Sequence, residues 1–267
     1  MTTRNEPIEL EVDGERIAGT RISPESRLPG VLFVHGWGGS QDQYLARARE
    51  VAALGCICVT FDLRGHAGTE RQRETVTREQ NLRDVLQAYD ALVRSPGVDR
   101  DAIAVVGSSY GGYLAAIATG LRKIRWLALR APALYKDDDW DMPKRKLHEQ
   151  QNLVKYRRQV VSPTHNRALK ACSVYSGDVL LIESEHDTVI PHPVIASYIK
   201  ACGQARSLTH RVISGADHAL SEEAFRKSYS SLLVNWLNEM ITGARGDADA
   251  PQGAAQRDTM LHTAAAG

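Results

Sequence analysis

No stretch of this chain approaches the ~18 or more consecutive apolar residues of a membrane-spanning helix, so no membrane partner is expected. An excess of one charge is equally absent. The 33 basic and 32 acidic side chains leave a formal charge of +1, without the basic footprint of a nucleic-acid binder. Cysteine is scarce as well. The four thiols, Cys56, Cys58, Cys172 and Cys202, match no close-spaced zinc pattern. Cys56-x-Cys58 falls in an apolar, strand-like run, where the two are expected to face opposite ways and stay unbonded. The polar start, Met1 to Pro7, has no apolar core of the kind a secretory signal carries. Together these features lead us to expect a reducing, cytoplasmic setting.

What is present is an ordinary globular composition. Hydrophobic residues make up 43% of 267 and charged residues 24%, which excludes wholesale disorder and fibrous repeats. Ile8-Glu-Leu-Glu-Val12 alternates apolar and polar residues, Asp13-Gly14 supplies a turn, and residues 16–22 continue as a second strand: an antiparallel hairpin. Beyond Gly30 the pattern changes. Short apolar runs at 31–34, 56–61, 102–106, 126–129, 179–182 and 208–213 alternate with amphipathic stretches at 43–54, 78–93, 110–121, 193–201 and from Ser221 onward. Apolar runs without alternation suit strands covered on both faces. The expected architecture is therefore α/β, a mostly parallel sheet flanked by helices, with ligands at the carboxyl ends of the strands.

Two segments break the rhythm. Residues 131–177 are far longer than a crossover needs and are read as a short inserted cap, either a solvated excursion or a substrate gate. From Gly243 the chain becomes rich in Gly, Ala, Asp and Gln, which predicts a single domain over 1–242 and a disordered tail over 243–267.

Gly107-Ser-Ser-Tyr-Gly111 is a G-x-S-x-G placed between a predicted strand and a predicted helix. Such a turn exposes its serine, Ser109, at the carboxyl edge of a sheet, beside the free N–H groups of a helix start. A serine hydroxyl needs a base. Of nine histidines, His218 in Ser214-Gly-Ala-Asp-His-Ala219 lies between the last strand and the last helix, where a loop would overhang that edge. His148, His165 and His262 fall in the insert or tail, His210 in a strand, His35 and His66 in Gly-rich turns, and His186 and His192 beside the acid candidate. That acid is Asp187, which follows the strand at 179–182. Glu185 stays open as an alternative, while Asp62, Asp178 and Asp217 are less well placed. His35-Gly-Trp-Gly-Gly39 could aim the Trp37 N–H at the nucleophile, making Trp37 and Tyr110 the expected oxyanion donors.

With its HG loop, elbow, acid and histidine in this order, the chain resembles the α/β-hydrolases from about Gly30 to Met240. Asp62-Leu-Arg-Gly-His-Ala-Gly-Thr69 is similar to the family's D-x-R-G-H-G-x-S turn, with Ala67 in place of a glycine. Gly-Ser-Ser-Tyr-Gly-Gly112 and the cap are most similar to the small esterase and serine-peptidase-like branches. The resemblance implies a serine hydrolase that forms an acyl-enzyme on esters and uses no metal or organic cofactor. Its expected partner is a small-molecule ester or amide. Amide or peptide cleavage, and a slow ligand-binding relative, are the other functions the fold supports.

Overall fold

The six apolar runs pair into one parallel sheet in the computed structural model, which describes residues 3–12, 15–24 and 27–249. Its strands are β3 (Leu28–Val34), β4 (Ile57–Thr60), β5 (Val98–Ser108), β6 (Trp126–Arg130), β7 (Asp178–Ser184) and β8 (Ser207–Ile213), in the order β4-β3-β5-β6-β7-β8. The two strands that precede them, β1 (Thr3–Val12) and β2 (Glu15–Pro24), pair antiparallel in a separate two-stranded sheet. The expected Asp13-Gly14 turn lies outside the described residues.

Every residue of β6 and β7 is buried, which is why neither run alternates. Successive side chains serve two separate cores. Leu32, Val105, Leu127 and Leu181 face a layer built on α2 (Arg78–Arg94), α3 (Tyr110–Ala118), α6 (Arg167–Ser173) and α7 (His192–Ala201). Phe33, Val106, Ala128 and Ile182 face α1 (Asp42–Ala53) and α8 (Glu223–Asp249). Helix α2 starts on a reciprocal cap in which the Gln80 N–H donates to Thr77 Oγ1 and the Thr77 N–H to Gln80 Oε1. Helix α8 runs to Asp249, past the expected boundary at 242, so residues 243–249 are helical; the rest of the expected tail lies outside the described residues.

Cys56 and Cys58 both pack on the α1/α8 side, because residues two apart on an extended chain share a face. That corrects the expectation that they point to opposite sides. None of the four cysteines forms a disulfide.

The cap between β6 and β7 contains α4 (Leu147–Gln150), α5 (Leu153–Arg157) and α6. It is welded to the body. Leu147, Leu153 and Leu169 are buried in the main core, and buried Arg78 donates to the Lys136 and Asp138 carbonyls. Arg157, also buried, donates to the carbonyls of Leu134 and Val189. The cap is thus not a solvated excursion. Leu147→Ala should lower the unfolding free energy by about 2–4 kcal/mol, as at any core leucine. Urea denaturation checks this, and a loss under ~0.5 kcal/mol would mark the segment as peripheral.

Candidate active site

The carboxyl ends of β3, β5 and β7, with the loop after β8, converge on Ser109. This residue holds φ 51° and ψ −116°, a conformation a non-glycine residue keeps only when its surroundings enforce it. Here both backbone groups of Ser109 are fixed. Its N–H donates to the Arg130 carbonyl (2.9 Å), and its own carbonyl accepts from the Tyr113 and Ala133 N–H groups (3.1 and 2.9 Å). The elbow glycines make the turn possible by contact. A methyl group on Gly111 would collide with the Val34 and His35 carbonyl oxygens, and one on Gly107 would lie 2.6 Å from the Gly111 oxygen.

Ser109 Oγ lies 3.1 Å from His218 Nε2, and His218 Nδ1 lies 2.6 Å from Asp187 Oδ2. The Asp187 side chain is only 2% exposed and its other oxygen accepts from the Val189 and Ile190 N–H groups (2.9 and 2.7 Å). With the carboxylate accepting Nδ1–H, the imidazole presents Nε2 as acceptor to the serine hydroxyl. The structure brings these three predicted residues together. Glu185 instead accepts from Ser214 Oγ and the Gly215 N–H, both at 2.7 Å, and so braces the loop that carries His218; these bonds hold its carboxyl below the usual range. Asp217 binds Ser221 locally, and Asp62 accepts from Gln41.

Trp37 and Tyr110 both adjoin the serine's turn, and their rings meet edge-on with centroids 5.7 Å apart. Gly36 packs so closely that a methyl group on it would touch Ser109 Cβ at 3.3 Å. The Gly39 N–H to Gly36 carbonyl bond (3.0 Å) makes Trp37 the second residue of a turn, with its N–H outside the closed ring. Tyr110 opens α3, whose first N–H groups have no intrahelical acceptor.

Two histidines hold the Trp37 loop. His35 Nδ1 donates to the Gly36 carbonyl (2.8 Å) while Nε2 accepts from the Leu63 N–H (2.9 Å). His66 Nε2 accepts from the Gly38 N–H (3.0 Å) and Nδ1 donates to the Leu63 carbonyl (3.2 Å). Both rings must be neutral to make these bonds. Burial lowers both pKa values, and for His66 the neighbouring His35 lowers it further. Ala67, in the family's glycine position, holds φ 45°.

Lys144 was legible only as one of several basic cap residues. It is 6% exposed, and its Nζ lies 4.7, 5.0 and 4.7 Å from the ring centroids of Trp37, Tyr110 and Tyr135. Burial alone would raise the Tyr135 phenol, yet Lys144 and Arg157 beside it bring the value below normal. Nothing in Pro143-Lys-Arg-Lys146 distinguishes Lys144 from its exposed neighbours Arg145 and Lys146. Arg130, at the end of an apolar strand, carried a signal: a charge where the run ends. Among the described residues no cluster of His, Cys, Asp or Glu is arranged to hold a metal. No helix among them is long and apolar enough to cross a membrane.

The histidine arrangement fixes a pH dependence. The unfolded chain takes up protons near the ordinary value of 6.5, whereas folded His35 and His66 take them up only at lower pH. Stability is therefore full above that value and falls as pH drops through it. His66→Gln can still accept from Gly38 and donate to Leu63 without titrating, so its melting temperature should fall less between about pH 7 and pH 5 than that of the unaltered protein. Identical slopes would show that His66 does not titrate in this range.

Residues 42–244 match the prolyl oligopeptidase family. A probable dipeptidyl-aminopeptidase B from Talaromyces marneffei is 32% identical over 102 residues, 35% of this chain and 11% of that protein. A thiohydrolase from Aspergillus aculeatus is 30% identical over 105 residues, 39% of this chain and 33% of that protein. The chain thus matches a third or less of the length of these curated relatives. Among solved structures, the monoacylglycerol lipase of Paleococcus ferrophilus superposes with a TM-score of 0.60 at 17% identity, covering 90% of this chain and 99% of that one, a likeness of fold. With the family match spanning well over half of its residues, this chain belongs to the prolyl oligopeptidase family and has the α/β-hydrolase fold.

Proposed function

We propose that the protein hydrolyses carboxylic esters through an acyl-enzyme on Ser109. The observation that carries this is the continuous hydrogen-bonded chain Ser109 Oγ–His218–Asp187, with spacings of 3.1 and 2.6 Å. Ser109 Oγ attacks the carbonyl carbon as His218 Nε2 takes its proton, and Asp187 stabilises the imidazolium. The Trp37 and Tyr110 N–H groups receive the oxyanion. Collapse expels the alcohol, which leaves with the proton held on His218. Water, activated by the same Nε2, then releases the acid. The reading treats residues 1–242 as the catalytic unit, in a reducing, cytoplasmic setting that suits cysteines without disulfides.

Amide or aminoacyl-peptide cleavage is the second reading, supported by the family match and by the dipeptidyl-aminopeptidase. The charge around the serine favours esters. A substrate with a free α-ammonium needs a carboxylate to receive it, whereas Asp187 and Glu185 are already engaged and the cation Lys144 lies against Trp37 and Tyr110. Like charges brought together there would cost binding. Thioesters, the bond class suggested by the thiohydrolase, use the same steps.

Ser109→Ala should abolish labelling by a fluorophosphonate and cut turnover by about four to six orders of magnitude. Asp187→Asn should cost about four orders, by leaving His218 free to adopt the wrong tautomer. Glu185→Gln should lose far less, and the reverse ranking would make Glu185 the orienting acid. In kcat/KM, neutral esters should exceed aminoacyl amides by at least about tenfold, and Lys144→Met should narrow that gap. A preference for aminoacyl amides in the unaltered protein would establish the peptide reading instead.

A further inference from the structure

Behind the elbow, on the α1/α8 side, the residue next to the serine turns the other way. Ser108 Oγ accepts from Arg130 Nη1 (3.0 Å) at the wall of a cavity of about 210 Å³, set between α1, α8 and the ends of β5 and β6. Arg47, Arg130 and Arg226 all line it. Their hydrogen bonds go to hydroxyls and backbone carbonyls. Arg130 reaches Ser108 and the His218 carbonyl; Arg47 reaches Ser230 Oγ and the Gln43 carbonyl; Arg226 reaches the carbonyls of Leu220 and Ser221. Among the described residues none of the three is bonded to a carboxylate. Glu50 and Glu223 line the adjoining outer groove, where Glu223 pairs with Lys227 (2.8 Å).

Of the three, Arg226 is exposed and Arg47 half-buried, so the cost of an uncompensated charge falls on Arg130. Arg130 is only 7% exposed, and its Nε–H is buried without an acceptor. The Tyr229 hydroxyl, beside that of Tyr44, is likewise buried without a well-formed hydrogen bond. Burial raises both phenols, so each remains a neutral O–H donor. The guanidinium carbons of Arg47 and Arg130 lie 4.6 and 6.0 Å from the Tyr229 ring centroid, which places both at one end of the cavity. The Arg130 Nε–H and the Tyr229 hydroxyl are both sealed in the wall, so what the cavity offers a ligand is the charge of the three guanidiniums. The complementary partner is acceptor-rich, anionic and small.

We infer that this cavity binds a small oxyanion, a carboxylate or phosphate group, held by Arg47, Arg130 and Arg226, and that its occupancy is felt at His218. The link is direct. Arg130 lines the cavity while its Nη2 donates to the His218 carbonyl and its Nη1 to Ser108, so an anion drawing on Arg130 alters the support of the histidine loop.

Calorimetry on the full chain in a chloride buffer free of oxyanions tests the site, with sodium phosphate and sodium acetate titrated separately. One-site saturable binding of at least one of them is expected. Sodium chloride at matched ionic strength should give no such binding, and Arg47→Gln should weaken the anion by about tenfold or more. Arg47 is only partly buried, and a thermal melt verifies that this variant is folded. No saturable heat with either anion, or equal affinity in Arg47→Gln, would overturn the site. The link to His218 is read by the rate of fluorophosphonate labelling of Ser109, which should change severalfold at saturation. An unchanged rate with binding intact would overturn the link. The calorimetric arm does not depend on Ser109 being the nucleophile, so failure of the catalytic reading and failure of the anion site are told apart.

Discussion

The start of α3 packs directly against the end of β3, and the site depends on that contact. Gly111 lies against the Val34 and His35 carbonyls, in space that no side chain can share. That contact lets the chain reverse from β5 into α3 within one residue, and the reversal leaves Ser109 at φ 51°. It also sets the HG loop beside the serine, because Gly36 is in van der Waals range of Ser109. The positions of Ser109 and of the Trp37 loop are thus one constraint. The energy of the strained residue is offset by the three backbone hydrogen bonds that fix it, to the end of β6, the first turn of α3 and the loop after β6.

Around this point the protein uses charge and neutrality in different places. The loop carrying Trp37 rests on two buried histidines that serve as neutral donor–acceptor bridges, so its geometry is tied to pH. The cap contributes the cation, Lys144, against the aromatic wall. Because buried arginines and leucines bind the cap to the core, Lys144 is held in place rather than delivered by a moving lid. On the reverse side, Arg130 joins the elbow serine pair to the His218 loop, so β6 braces both halves of the hydrogen-bonded chain.

Much of this was legible in the sequence, for physical reasons. The unalternated runs located the inner strands because a strand covered on both faces cannot carry polar residues at period two, while the edge strand β8, with Arg211 and Val212 exposed, gave a weaker run. The elbow, Asp187 and His218 could be found because each follows a strand end, and in a parallel sheet all those ends share one edge. Ala67 stood out against the family's glycine, and it does adopt a positive φ. Contacts between distant segments were not legible. Lys144 and the solvent-facing Arg145 and Lys146 look alike until the cap folds over Trp37. The work of His35 and His66 depends on Leu63, which packs between their turns, and no spacing rule encodes that. Helix α8 ran past the expected boundary because its last two turns lack the apolar period from which its extent was read.

The central claim, that Ser109 carries the acyl group between two half-reactions, is tested most directly by rapid acid quench of the protein mixed with a p-nitrophenyl ester, followed by peptide mass mapping. The account predicts an adduct of the acyl mass on the peptide containing Ser109, accumulating at the rate of the p-nitrophenol burst and decaying at the steady-state rate. Turnover with no adduct on that peptide, or an adduct on a different residue with the same kinetics, would contradict it.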